Sequence, residues 1–167
     1  MSMENQMILV ENEIDLVRWA DLRCGCGANA SHLPADLRRL FEARTRDEAM
    51  DMGVAEHVLI QSFPQEPAIA VTGVVMAGLA SDLPLGARVE TLDLLLRLVF
   101  NDDDDASEAC QNIARNGAWT LYSDLVANRS IDLTGYAFRI LQVIDPGERL
   151  QALKASGQIS LPSDLVG

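Results

Sequence analysis

The chain has 167 residues and a net charge of −12, with 25 Asp and Glu against 13 Lys and Arg. That length suits one domain with a real core, and an apolar fraction of 49% excludes a disordered segment. The negative balance repels nucleic-acid phosphates and anionic lipid, and it suits either plain solubility or a basic partner.

Strand-like alternation is almost absent, while helical spacing recurs along the chain. A first helix is expected from about Glu13 to Leu22, with Ile14, Val17 and Leu22 on one side and Asn12 as cap. Cys24 to Ser31 reads as a glycine-containing loop. Pro34, a good first-turn residue, opens a second helix through Leu37, Leu40 and Phe41. Thr45 and Glu48 form a capping-box pattern that opens a third. Ala68 to Ala80 carries no charge, and Ala70, Gly73, Ala77 and Ala80 share a face that a neighbouring helix could approach closely. Leu85 to Phe100 is apolar nearly all round, with Glu90, Asp93 and Arg97 as its polar stripe. Such a helix belongs in the middle of a stack.

The most informative signal is internal. Residues 107–127 set against 147–167, an offset of 40, give 8 identities in 21 positions, ending in Ser-Asp-Leu-Val at 123–126 and again at 163–166. Self-similarity near this period is what helical solenoids show, because each short helical unit must borrow a neighbour to cover its apolar face. A weaker third copy runs through Asp47 to Val54. In each copy the glycine (Gly53, Gly117, Gly157) is expected to stop a helix in left-handed conformation.

A short helix ending in glycine, a second helix, then a long apolar helix resembles armadillo/HEAT repeats. The best match is Glu108 to Ile144, with Asn112-Ile113-Ala114-Arg115-Asn116-Gly117-Ala118 as the junction and Ala137 to Leu141 in the later core helix. The resemblance implies an all-α, right-handed α-solenoid in a single domain 1–167. Residues 1–44 would form capping helices and 45–167 the repeats, the last one truncated. The spacing of Gly53 to Gly117, 64 residues, departs from the period.

Three cysteines, Cys24, Cys26 and Cys110, make no disulfide framework and point to a reducing compartment. The N-terminal residues lack the pattern of a signal peptide, and the longest uncharged stretch, Pro67 to Ser81, is too short to span a bilayer. A cytoplasmic location is the expectation. Cys24-Gly25-Cys26 with His32 has metal-ligating residue types, and His57 and Cys110 are the remaining candidates. Structural zinc sites usually pair C-x₂₋₄-C with a second ligand pair, however. The reading adopted is a loop whose cysteines are semi-buried small hydrophobes, with no metal and no cofactor. His57 is read as a packed histidine. No nucleophile turn, phosphate loop or metalloprotease motif occurs, so the chain reads as a non-enzyme.

Asp102-Asp103-Asp104-Asp105 is the sharpest charge feature. It lacks a calcium-loop pattern. Asp104 or Asp105 should cap a helix starting near Ala106, and the remaining carboxylates are either solvated or met by a cationic partner. Trp119 and Tyr122 fall where armadillo-like stacks line their binding face, and Trp119 is open to being an exposed anchor or partly buried. Asp124 and Asp164 extend an exposed acidic row. The candidate partner-binding residues are therefore Asp102, Asp103, Asp104, Asp105, Trp119, Tyr122, Asp124 and Asp164. Function is expected to be contact: an acidic protein-binding domain similar to bacterial immunity proteins, occluding a basic toxin, for instance one of nuclease type, by steric and electrostatic means. The alternative is an adaptor docking a peptide along a concave face. No nucleic acid, membrane or cofactor is expected.

Overall fold

Apolar residues at helical spacing govern almost every element of the computed structural model, which describes residues 7–166. In chain order the elements are α1 (Ile8–Asp15), α2 (Leu33–Glu42), α3 (Arg46–Met50), α4 (Val54–Val58), β1 (Leu59–Ile60) and β2 (Phe63–Pro64). There follow α5 (Ala68–Leu79), α6 (Leu85–Val99), α7 (Asp104–Asn116), α8 (Ala118–Ala127), α9 (Ile131–Ile144), α10 (Glu148–Ala155) and α11 (Ser163–Val166). The two strands form a small antiparallel hairpin, Leu59 opposite Pro64, turned at Gln61. Among the described residues no helix is long and apolar enough to cross a membrane.

The all-round apolar segment becomes the hub. α6 packs against α2, α3, α5, α7 and α9, and Leu92, Leu95, Leu98 and Val99 are completely buried. Full burial of one such side chain is worth ~1.5–3 kcal/mol, so this helix carries much of the core. Around it, α1 packs on α5 through Val10 and Ile14, one turn apart and both buried. α9 packs on α8 with Leu133, Ala137, Phe138 and Leu141 fully buried. The chain is mostly helical and forms a single compact domain.

Several boundaries differ from expectation. The first helix ends at Asp15 and begins at Ile8, so Asn12 lies inside it; Val10 needs that earlier turn to reach the core. Leu22 follows a separate 3₁₀ turn, Trp19–Asp21. Thr45 does cap α3, accepting from the Glu48 N–H, while the Glu48 carboxylate accepts from the Arg44 N–H. The cap of α7 is Asp103, whose Oδ1 accepts from the Ala106 N–H at 2.9 Å, one residue earlier than expected. On α5 the small-residue face is only half buried, with Ala80 exposed; the tightest approach is at Gly78, under the Phe41 ring.

The glycine junctions divide. Gly53 (φ 64) and Gly157 (φ 70) are left-handed, as helix stops. Gly117 has φ −115 and is not. α8 starts directly after it, and a Cβ there would lie 2.5 Å from the Met76 methyl, so close packing rather than backbone handedness requires glycine. The repeated Ser-Asp-Leu-Val also diverges: 123–126 sits inside α8, whereas 163–166 makes the separate four-residue α11 after a loop.

Candidate functional site

The segment after Trp19 folds as a knuckle. An antiparallel bridge pairs Arg23 with Asn29, the Cys24 N–H donates to Ala28 O at 2.8 Å, and the Gly27 N–H donates to Cys24 O at 3.0 Å. Gly27 has φ +90, which a side chain rarely adopts. The Asn29 side chain then caps the 3₁₀ turn Ala30–His32, which runs straight into α2. This brings Cys24, Cys26 and His32 close together.

The fourth member comes from α4. The Gly25 N–H donates to His57 O at 2.8 Å, and a Cβ on Gly25 would sit 2.8 Å from that same oxygen. Only glycine lets the two backbones meet this closely. Cys24 Sγ consequently lies 3.1 Å from His57 Nδ1, and Cys26 Sγ lies 3.6 Å from His32 Nε2. The two imidazoles meet edge to face, centroids 4.5 Å apart. One donor atom from each of Cys24, Cys26, His32 and His57 lies within 4.8 Å of every other.

The surroundings orient and polarise this cluster. His32 Nδ1 donates to Asp36 Oδ2 at 2.8 Å, leaving Nε2 to face Cys26, and the Asp36 hydrogen bond raises the His32 pKa. Arg39 pairs with the same carboxylate. The Cys26 thiol is lowered to about 6, first by the backbone N–H of Ala28, then by the Cys24 thiol. Burial pushes the Cys24 thiol up. The expectation of two semi-buried hydrophobic cysteines is corrected: Cys24 is buried, Cys26 is exposed, and both point polar sulfur at histidine. Likewise His57 is half buried, against polar partners.

The residues picked as partner-binding do not form one face. Asp102, Asp104 and Asp105 are exposed, while Asp103 is occupied as a helix cap. Trp119 is 69% exposed. Tyr122 is corrected to a buried position, its hydroxyl donating to Asp145 Oδ2 at 2.5 Å. Asp124 is corrected as well: it is buried and takes part in an ion pair with Arg88, so it cannot extend an exposed row. The chain turns it inward because Leu121 and Leu125 hold the core face of α8 and Arg88 of α6 lies opposite. Asp164 is exposed and pairs with Arg139.

What does surround Trp119 is a shallow hollow of about 450 Å³ between α8 and α10, lined by Trp119, Tyr122, Ser123, Val126, Arg149 and Leu153. The Arg149 guanidinium stacks 4.8 Å from the Trp119 ring centre. Sequence reading found Trp119 but not Val126, 52% exposed and two helical turns on. Their i, i+7 spacing is the signal that could have found it. Comparison with protein-family models, curated proteins and solved structures gives no match to this chain. Function therefore rests on this geometry alone.

Proposed function

We propose that the chain is an acidic, protein-binding helical-repeat domain that acts in the cytoplasm by contact, occluding a basic protein as immunity proteins occlude a cognate toxin. The observation that carries this reading is the exposed Trp119–Val126 ridge over the α8–α10 hollow. An exposed aromatic beside an apolar hollow is the usual anchor of a protein interface.

Charge supports the choice of partner. At least seven of the 13 Lys and Arg side chains (Arg38, Arg39, Arg46, Arg88, Arg97, Arg139, Arg149) are engaged with carboxylates of this chain. The surplus of 12 negative charges is thus left to the surface, where it steers cations inward. The repeat reading draws support from α9 packing on α6, three helices earlier, as stacked helix triplets do.

The test is affinity capture from the native host, followed by association kinetics with the captured protein. A basic partner whose on-rate falls steeply with salt is expected, with W119A weakening binding and D102N/D104N/D105N slowing association. Asp103 is spared because it caps α7. If the captured partner binds both variants as it binds the wild type, the contact reading is wrong. A partner whose binding is lost with W119A but indifferent to salt and to the acidic variant is instead an adaptor's peptide.

A further inference from the structure

We infer that Cys24, Cys26, His32 and His57 bind one zinc ion, in a closed tetrahedral site that fastens the knuckle to α4. The inference stands apart from the partner-binding reading and would hold if that reading failed.

Donor geometry is the first argument. Zinc–sulfur bonds of ~2.3 Å and zinc–nitrogen bonds of ~2.0–2.1 Å imply tetrahedral edges of ~3.8 Å between sulfurs, ~3.6 Å between sulfur and nitrogen and ~3.4 Å between nitrogens. Cys24 Sγ lies 3.1 Å from His57 Nδ1 and Cys26 Sγ 3.6 Å from His32 Nε2, and all four donor atoms lie within 4.8 Å of one another. Small rotations of the side chains suffice to centre an ion. The donor set is equally specific, since two thiolates and two imidazoles in tetrahedral array select zinc among common divalent ions.

Support around the donors is the second argument. Asp36 accepts from His32 Nδ1 and is itself held by Arg39. A carboxylate behind a ligating imidazole fixes its tautomer and aims the other nitrogen at the metal. The Gly25 N–H to His57 O bond places the loop and α4 in register from two chain segments 32 residues apart. Cys26 is exposed, which gives the ion a route from solvent, while Cys24 is buried. The Cys-x-Cys spacing is shorter than usual, and Gly25 is what makes it workable by removing the side chain between the two ligands.

The chemistry is simple ligand exchange. Zinc loses water ligands, each sulfur binds as thiolate and each imidazole as the neutral base, any proton still on a thiol or on a ligating ring nitrogen goes to solvent, and no electrons move. Two thiolates cancel the charge of the ion. Four protein ligands leave no position for water, so the site is structural and not hydrolytic.

The test uses the full chain, expressed in zinc-supplemented medium and purified in a non-chelating reductant. Elemental analysis should give about one zinc per chain. Cobalt substitution should give the intense visible bands of a tetrahedral ion with thiolate charge transfer. C26S and H57A should lower zinc affinity at least tenfold while C110S keeps it, far-ultraviolet circular dichroism confirming that each variant is helical. D36N, acting on the orientation of His32, should weaken zinc by ~10–100-fold with the tetrahedral cobalt spectrum retained. Zinc content unchanged in both C26S and H57A, or wild-type protein that takes up no zinc and gives cobalt only the pale spectrum of a six-coordinate ion, overturns the inference. So does a Cys24–Cys26 disulfide that persists in reductant without metal.

Discussion

Asp124 Oδ1 accepts a 2.7 Å hydrogen bond from Arg88 Nε deep between α8 and α6, both side chains being less than a tenth exposed. Arg88 directs its other nitrogens to Leu79 O and Ser81 O, whereas Asp124 Oδ2 is buried without a hydrogen-bond partner among the described residues. The two charges compensate each other only as a pair. Removing either alone strands the other in low dielectric, so D124A and R88M should each lower unfolding free energy by ~3–5 kcal/mol in urea titrations. The double variant R88M/D124A should lose less than the sum of the singles. Strictly additive losses would show that the pair is not coupled.

Tyr122 sets an alkaline limit on stability. Its phenol is pushed up to about 12 from 10.0, by burial first and then by the hydrogen bond to Asp145. An unfolded tyrosine ionises near its ordinary value, so the contribution is fully present below pH 10.0 and drains away as pH rises toward about 12. Y122F should cost about 1 kcal/mol at neutral pH and should flatten the fall in melting temperature over that window. An identical alkaline profile in Y122F and wild type would remove Tyr122 as its source.

Two helical glycines should respond to alanine with opposite signs. At Gly86 a Cβ would meet Thr45 C and Arg46 N at 2.4 Å, backbone atoms that cannot swing aside. G86A should therefore destabilise by ~1–3 kcal/mol despite alanine's helix propensity. At Gly73 the nearest atom is Glu13 Oε2 at 3.2 Å, the far end of a flexible side chain. There G73A should gain ~0.5–1 kcal/mol. Thermal melts of the two variants shifting in the same direction would contradict this geometry.

Neighbours in the acidic run should likewise differ. Asp103 caps α7, so D103A should cost ~1 kcal/mol. The exposed Asp102 side chain makes no such bond among the described residues, and D102N should fall within ~0.5 kcal/mol of wild type. Equal losses would mean that the run acts through bulk charge and not through a cap.

How much of this was legible in the sequence follows from the range of the signals. Leu85 to Phe100 was readable as a central helix because its apolar residues surround the helix axis, a local property that no partner can alter. The offset-40 similarity was real as sequence but not decisive as structure. Ser123 to Val126 is carried by a continuous α8, and Ser163 to Val166 follows a loop, so the same four residues bury Asp124 and expose Asp164. The cluster at Cys24 was only half visible. Cys24, Cys26 and His32 lie within nine residues, but His57 enters through a backbone contact at Gly25 that no periodicity encodes. The sequence leaves Trp119 open between exposure and partial burial; the structure decides for exposure because Leu121 and Leu125 occupy the buried face.

The two tryptophans have opposite surroundings, and the molecule thereby holds two optical reporters in separate places. Trp19 is buried with its indole N–H on Ile14 O at 2.9 Å, just ahead of the cysteine loop. Trp119 lies open to collisional quenchers beneath a guanidinium. Acrylamide will dim the red-edge emission and spare the blue, so occupation of the hollow and loading of the cysteine–histidine cluster become separately visible in one fluorescence spectrum, with no dye attached.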